Sequence, residues 1–459
     1  MSGSGLRERG IPGRHLSANA GQLHATIRDE GINDGRTTVI HVLLDVNILG
    51  RGFGAEVSRT GIFRATEGLT RAMLRRPDIA LHFSAEANWA SELLLHAYDR
   101  KAGGVLAPRI LRAWKQPRVA DAEASALIAH VVAEEAAGRD ARRDRATLTL
   151  LNATARHIGL PGPFDVVHSL RTPLPPLGRI SARVRALTIH DLIPLLHPEW
   201  MYPTAGAEVR AIADSILPDD FVVANSNATA RDVTAVLRIP PERIFVTPFA
   251  AAKEVFYRED SPERIEAAMR RYGIPPGKYF LSLCTLEPRK NLPHLLHCFH
   301  RLLRQERPPE VQLVLVGATG WKADPILDLL QEHPDLRTRV VLAGYVPDTD
   351  LAALYSGARA FVYPSLYEGF GLPVLEAMQC GTPVITSDVS ALPEVVGDAG
   401  LVVSPTDADA LSAALLRLVT DDALAADLSG RGLRRASLFS WDRTAESTVA
   451  AYAAMLEST

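Results

Sequence analysis

The sequence predicts an α/β protein made of two doubly wound domains with parallel sheets. Three observations predict it. Short apolar runs alternate with longer helical stretches, the pattern of parallel strands covered by helices on both faces. The alternation comes in two series, with a shift in composition near 250–280 between them. A chain of 459 residues is also too long for one compact core and suits two domains, with room for a third.

Residues 1–36 are polar and glycine-rich at their start and lack the apolar core of a secretory signal, so a flexible extension is expected there. "TVIHVLLD" (38–45) is the first strand, by its length and β-branching. It feeds the loop "VNILGRGFGAEVSRTG", and the next helix carries a stripe of Ile62, Ala65, Leu69 and Ala72. Further strands are expected at 79–84, 164–169, 185–191 and 220–226. Between them, 121–158 is alanine-rich and charged around "GRDARRDR"; acidic residues are mixed in, so it reads as a solvated helical face and a turn. "SPERIEAAMRRYGIPPGKY" is a linker helix with a glycine-proline stop. The second series comes next, with strands at 279–285, 311–318, 339–345, 358–365, 382–388 and 400–405. A last helix at 441–457 has a stripe of Trp441, Ala445, Val449, Tyr452 and Leu456. Two such domains facing each other make a cleft between the carboxyl ends of their strands, where ligands bind in sheets of this kind.

Bulk composition excludes several functions. With 47% hydrophobic and 22% charged residues, the chain is an ordinary globular one. A net charge of -3, from 50 basic and 53 acidic residues, gives no reason to expect a nucleic-acid partner. Three cysteines, Cys284, Cys298 and Cys380, show no CxxC spacing and no paired histidines beside them. A disulfide scaffold or structural zinc is therefore not expected, and a reducing cytoplasm is. No apolar run approaches the ~18–20 residues that cross a bilayer, so any membrane contact would be peripheral. Nothing in the sequence indicates an oligomeric state.

The segment "SLYEGFGLPVLEAMQCGTPVITSD" (365–388) sets Glu368 and Glu376 eight positions apart around a Gly-Phe-Gly-Leu-Pro turn. The preceding strand runs into this loop. Pro373 suits a first helical turn, where its missing N–H is not needed, and Gly381 ends the helix after Cys380. A strand, a glycine loop and a helix start make an anion site: free N–H groups and the dipole point at a negative ligand that glycine lets come close. Carboxylates beside such a site would meet hydroxyl groups. Hydroxyls, phosphates and hydroxyls in series describe a sugar nucleotide. Taken alone, the stretch fits a structural turn with dipole-favoured surface acids equally well.

Two other stretches shift that balance. "TLEPRKN" (285–291) follows the first strand of the second series, and its Arg289 and Lys290 would neutralise a diphosphate. "TIHDLIPLLHP" (188–198) puts His190 and Asp191 at the carboxyl end of a first-series strand, facing the same cleft. An isolated His-Asp pair is more often structural, but with the other two elements it makes a credible active-site wall.

These segments resemble the family 4 retaining glycosyltransferases, which have the GT-B architecture of two Rossmann-like domains across a cleft. The E-x7-E pattern of Glu368 and Glu376 carries the resemblance. "EPRKN", "LVLVGATGW" (313–321), "LAGYVPDTDLAALYSGARAFVYPS" (342–365) and "SALPEVVGDAGLVV" (390–403) support it, so that it covers most of 185–457. It implies that Glu376 holds the ribose hydroxyls and that Glu368 binds the donor sugar, with the backbone amides of Phe370, Gly371 and Leu372 near sugar and phosphate. It implies that Arg289 and Lys290 grip the diphosphate and stabilise the departing charge, and that His190 contacts the sugar near the reacting carbon. Tyr345 and Val346 would meet the base, and Gly61 the diphosphate from a helix N-terminus. The implied organisation is an acceptor-side domain at 37–257, a nucleotide-sugar domain at 258–438 and a terminal helix, 439–459, crossing back, with the domains hinged about the linker.

The resemblance further implies retention of configuration on one face of the sugar, the leaving diphosphate helping to take the acceptor's proton. Neither cofactor nor metal is expected: "DTD" (348–350) reads as a helix cap, and the nucleotide sugar is a substrate. "HDLIPLLHPEW" and "GATGW" look most like members that transfer mannose or a related deoxyhexose in bacterial polysaccharide assembly, which favours GDP-mannose, with UDP- and dTDP-sugars open. The acceptor would be a saccharide or a lipid-linked saccharide, although no basic amphipathic helix argues for the latter. The first loop departs from the family, with "SRTG" in place of a Gly-Gly pair. Its Gly50-x-Gly52-x-Gly54 is also not the dinucleotide fingerprint. A phosphorylase would need a pyridoxal lysine that no segment here resembles. A sugar-nucleotide epimerase would act without acceptor, and an inactive scaffold is disfavoured because His190, Arg289, Lys290, Glu368 and Glu376 occur together.

Overall fold

A computed structural model describes residues 39–459 apart from 52–60, 86–87, 116–125, 128–129, 132–141, 161, 306–308, 319 and 321–323. The expected N-terminal extension, most of the GRGFG loop and the first half of "GRDARRDR" lie outside the described residues.

The first sheet has six parallel strands: β1 Ile40–Asp45, β2 Ile79–Ser84, β3 Phe164–Ser169, β4 Ala182–Ile189, β5 Phe221–Ala224 and β6 Ile244–Val246. Their order is β2-β1-β3-β4-β5-β6. Among the described residues, the edge beyond β2 continues as a single parallel bridge from Phe83 to Ile110. Apolar, β-branched runs such as "FVVA" in β5 are buried on both faces, as parallel strands beneath helices must be. The second sheet comprises β7 Lys278–Leu283, β8 Val311–Val316, β9 Val340–Gly344, β10 Ala360–Tyr363, β11 Val384–Ser387 and β12 Gly400–Val403. It runs β9-β8-β7-β10-β11-β12. The strand order reverses between β1 and β3 in one sheet and between β7 and β10 in the other. Such switch points splay the loops that leave the strands' carboxyl ends and open a crevice for ligand.

Five helices bear on the cleft and its supports: α1 Gly61–Met73, α2 Asn227–Asp232, α3 Leu292–Leu303, α4 Leu372–Gln379 and α5 Trp441–Glu457. The buried face of α1 is Phe63, Ala65, Thr66, Leu69, Thr70, Ala72 and Met73. Ile62, expected in that stripe, instead lines a pocket formed with Arg171, His190, Asp191 and Tyr202 of the same domain. β4 ends one residue before His190, so His190 and Asp191 stand on the loop beyond the strand rather than inside it.

The terminal helix α5 buries Ala445, Val449, Ala451, Tyr452 and Met455 in the same apolar cluster as Val42, Phe63, Phe83 and Val166 of the first domain. His168 of β3 shares a 2.6 Å hydrogen bond with Tyr452 Oη and a 2.8 Å one with Thr188 Oγ1. A Cβ at Gly68 of α1 would lie 2.2 Å from the Trp441 ring, so the glycine is what lets α5 seat. Among the described residues no helix is long and apolar enough to cross a membrane.

Candidate active site

Both loops at the switch point of the second sheet are charged, and they meet. After β7 comes Glu287-Pro288-Arg289-Lys290, and after β10 comes the loop through Ser365 to Gly371. Asn291 joins the loops: its backbone is left-handed, at φ 58°, and its Nδ2 donates to the carbonyls of Pro364 (3.1 Å) and Pro405 (2.7 Å). Asparagine tolerates that conformation better than most side chains.

Glu368 is 8% exposed and takes four partners. Its Oε1 accepts from Lys290 Nζ (2.6 Å), Ser365 Oγ (2.6 Å) and Tyr363 Oη (2.8 Å), and its Oε2 pairs with the Arg289 guanidinium at 2.6 Å. Burial alone would raise its pKa; Arg289 and Lys290 outweigh that and hold it down, at about 2. Arg289 also pairs with Glu287 at 2.7 Å and donates to the Tyr367 carbonyl at 2.8 Å. Burial works against its charge, but Glu368 and Glu287 raise its pKa further. Lys290, 7% exposed, donates to Tyr363 Oη at 2.6 Å and lies over that ring. The Nε of Arg289 is a buried donor without a hydrogen-bond partner, which an incoming oxygen could satisfy. Arg289, Lys290 and Glu368 thus form one paired cluster.

Gly371 precedes α4 with φ 109°, which glycine adopts without strain, and Pro373 sits in the first turn. Phe370 packs against Phe249 and Phe439. Pro373 has no N–H and the Val374 amide donates to the Gly371 carbonyl at 3.0 Å, so within this first turn the Leu372 amide is the one left to face an anion. Across from it the helix start at Gly61 faces Leu372, whose Cδ1 lies 3.5 Å from where a Gly61 Cβ would be.

The first domain closes the other wall. Gly369 approaches the His190 carbonyl so closely that a Cβ there would lie 2.2 Å from it. The Gly369 carbonyl accepts from Ser226 Oγ (2.6 Å) and Thr229 Oγ1 (3.0 Å), and Asn225 Nδ2 donates to the His190 carbonyl at 2.9 Å. Tyr367 Oη donates to Asp232 of α2 at 2.9 Å. His190 Nε2 is 2.7 Å from the Leu170 carbonyl, which makes Nε2 the protonated nitrogen and leaves Nδ1 as the acceptor. Burial lowers its pKa to about 4, and the Leu170 bond only partly opposes that. Burial raises the pKa of the neighbouring Asp191, against the pull of Arg289. Beside them a pocket of about 150 Å³ is lined by Ile62, Arg171, His190, Asp191, Tyr202 and Glu208, among others.

Glu376 is 5% exposed, one turn inside α4. Its Oε2 accepts from Tyr355 Oη at 3.2 Å, and its Oε1 lies 3.6 Å from the guanidinium of Arg64, which comes from α1 of the first domain. Arg64 also pairs with Asp348 at 2.7 Å and covers the Phe256 ring. Burial raises the pKa of Glu376, with Arg64 opposing. At the end of β9, Val346 is buried while Tyr345 is 46% exposed. An apolar pocket of about 110 Å³ beside them is formed by Leu286, Leu315, Gly317, Ile326, Leu327, Leu342 and Gly344.

Arg64, Glu287, Tyr363, Ser365 and Ser390, whose Oγ accepts from the Glu368 amide at 2.9 Å, were not singled out by sequence. Arg64 alone offered a signal: a cation in a helix's first turn opposes the dipole and therefore needs a partner.

Residues 265–435 match the family described as "Glycosyl transferases group 1". The O-antigen chain mannosyltransferase B of Escherichia coli is 38% identical over 267 residues, which span 58% of this chain and 69% of that protein. The serotype-specific mannosyltransferase WbdA of the same species is 32% identical over 278 residues, 59% of this chain but 33% of its own length. A solved sucrose-phosphate synthase from Thermosynechococcus elongatus matches with a TM-score of 0.61 over 92% of this chain and 100% of its own, at 20% identity. That likeness concerns the fold, which is GT-B.

Proposed function

We propose that this chain, which belongs to the group 1 glycosyl transferases, moves a mannosyl residue from GDP-mannose to a saccharide acceptor, with retention of configuration and without a metal. The observation that carries this reading is the Arg289–Lys290–Glu368 cluster, set at the switch point of the second sheet and facing His190 across the cleft. The mannosyl donor is supported by the relatives named for mannosyl transfer in O-antigen assembly and serotype.

In this reading the nucleotide lies along the second sheet, its base near Tyr345 and Val346 and its ribose hydroxyls on Glu376. The backbone amides of Phe370, Gly371 and Leu372 at the helix start, with Gly61 opposite, face the diphosphate and sugar. Arg289 and Lys290 stabilise the charge that develops as the bond from the anomeric carbon to the diphosphate breaks, a role worth roughly 3–4 kcal/mol per well-placed donor. Glu368 fixes both cations in place and contacts the sugar. It is too tightly paired to act as a nucleophile. His190 contacts the sugar near the reacting carbon. The acceptor oxygen, entering from the pocket beside His190, bonds to that carbon on the face the diphosphate leaves, and its proton passes to the departing phosphate oxygen.

The test is turnover with GDP-mannose, UDP-glucose and dTDP-rhamnose in EDTA, using a mannose-terminated oligosaccharide acceptor and reading the anomer formed by NMR. An α-mannosyl product from GDP-mannose alone is expected. A β-linked product, a strict need for divalent metal, or preference for another donor would each overturn the corresponding part of the reading.

A further inference from the structure

We propose a second ligand site, remote from the cleft: a divalent transition-metal site formed by His300, His333 and Asp335 on the outer side of the second domain. His300 lies in the last turn of α3; His333 caps, and Asp335 opens, the short helix Pro334–Arg337. The ligand atoms these three residues offer lie within 4.8 Å of one another. His300 Nε2 is 2.9 Å from Asp335 Oδ2, and the two imidazole rings have centroids 4.4 Å apart. Among the described residues, this is the group of three or more metal-ligating side chains so arranged.

The donor set names the class of ion. Two imidazoles and one carboxylate suit Zn²⁺, and also Ni²⁺ or Co²⁺, whereas Mg²⁺ and Ca²⁺ favour oxygen ligands. Tetrahedral zinc, with bonds of about 2.0–2.2 Å, needs its ligand atoms roughly 3.4 Å apart. The longest separation must therefore contract by up to about 1.4 Å, which rotations of the exposed Asp335 and half-buried His333 allow. The proton between His300 and Asp335 leaves as the metal enters. Arg304 competes for the same carboxylate, 3.8 Å from Asp335 Oδ2. Three protein ligands leave a position for water.

The site acts on the domain and not on the chemistry. His300 lies nine residues along α3 from Asn291, or about 14 Å along the helix axis from the loop that holds Arg289 and Lys290. The metal would pin the end of α3 to the segment that leads into β9. The cysteine pattern that spoke against structural zinc has no bearing on this histidine-based set.

The experiment titrates tag-free full-length protein with ZnCl₂ by calorimetry and with CoCl₂ by visible absorption. The proposal expects one equivalent bound, tetrahedral cobalt bands, and a melting temperature that rises with zinc. His300→Ala and His333→Ala should each weaken zinc at least tenfold and abolish the cobalt bands while leaving the metal-free melting temperature and sugar transfer unchanged. Arg304→Ala should tighten binding. Absence of a saturable equivalent in the parent protein, or unchanged binding in the His300→Ala/His333→Ala double variant, would overturn the proposal.

Discussion

Arg64 and Glu376 meet across the domain boundary, guanidinium to carboxylate at 3.6 Å, and the arginine bonds Asp348 at 2.7 Å from the same position. A residue of the first domain thus holds the buried carboxylate proposed to receive the donor's ribose. Removing it leaves Glu376 buried with Tyr355 alone, and a buried charge stripped of its partner is costly.

Arg64→Ala is accordingly expected to raise the KM for nucleotide sugar about tenfold while changing kcat less than threefold, equivalent to about 1.4 kcal/mol of binding. Arg64→Lys should recover part of the loss. Steady-state kinetics on both variants check this, and a fall in kcat at constant KM would place Arg64 in the chemical step instead.

Lys290 and Glu368 should fail differently from Arg64. Lys290→Ala is expected to lower kcat by roughly 10²–10³, the usual effect of losing one charge-stabilising donor. Glu368→Gln keeps the shape but frees both cations from their carboxylate, and the same order of loss is expected. Thermal melting separates misfolding from lost chemistry, because Lys290 and Glu368 are both buried.

The pH dependence rests on two lowered pKa values. His190, at about 4, stays neutral while an unfolded histidine titrates near 6.5, so stability is full above about 6.5 and declines as pH falls toward 4. Glu368, at about 2 against an ordinary 4.5, contributes stability above 4.5 that is lost as pH falls toward 2. Activity should hold between about pH 5 and 8, and kcat/KM should show an acid limb near 4. A limb centred near 6.5 would mean that His190 is solvated and titrates normally.

Gly68→Ala sets a methyl into the space of Trp441 and should lift α5 from α1. Overpacking of this kind costs about 1–3 kcal/mol. Melting temperature and hydrogen exchange in 441–457 measure it; an unchanged melting temperature would show that the ring moves aside freely.

The sheets were legible because buried parallel strands read as short apolar runs, and "FVVA" or "VQLVLV" allows no other sheet position. The loops with Arg289, Lys290, Glu368 and Glu376 were legible because glycine and proline mark a helix start beside charge. Pairings formed by the fold were not. Arg64 and Glu376 are 312 positions apart in the numbering, and only the packing of two domains brings them together. Ile62 departs from the stripe expected on α1 because periodicity cannot tell a face packed in the core from a first turn that borders a pocket.

The proposed reaction stands on a nucleoside diphosphate that binds along the second sheet with its ribose on Glu376 and needs no metal to do so. Isothermal titration of GDP into the parent protein and into Glu376→Ala, both in EDTA, measures that binding. Saturable binding by the parent is expected, with affinity lower by roughly 10–100-fold in the variant, the loss of one to two charged hydrogen bonds. Equal affinity in the two proteins, or binding that emerges only when metal is restored, would contradict it.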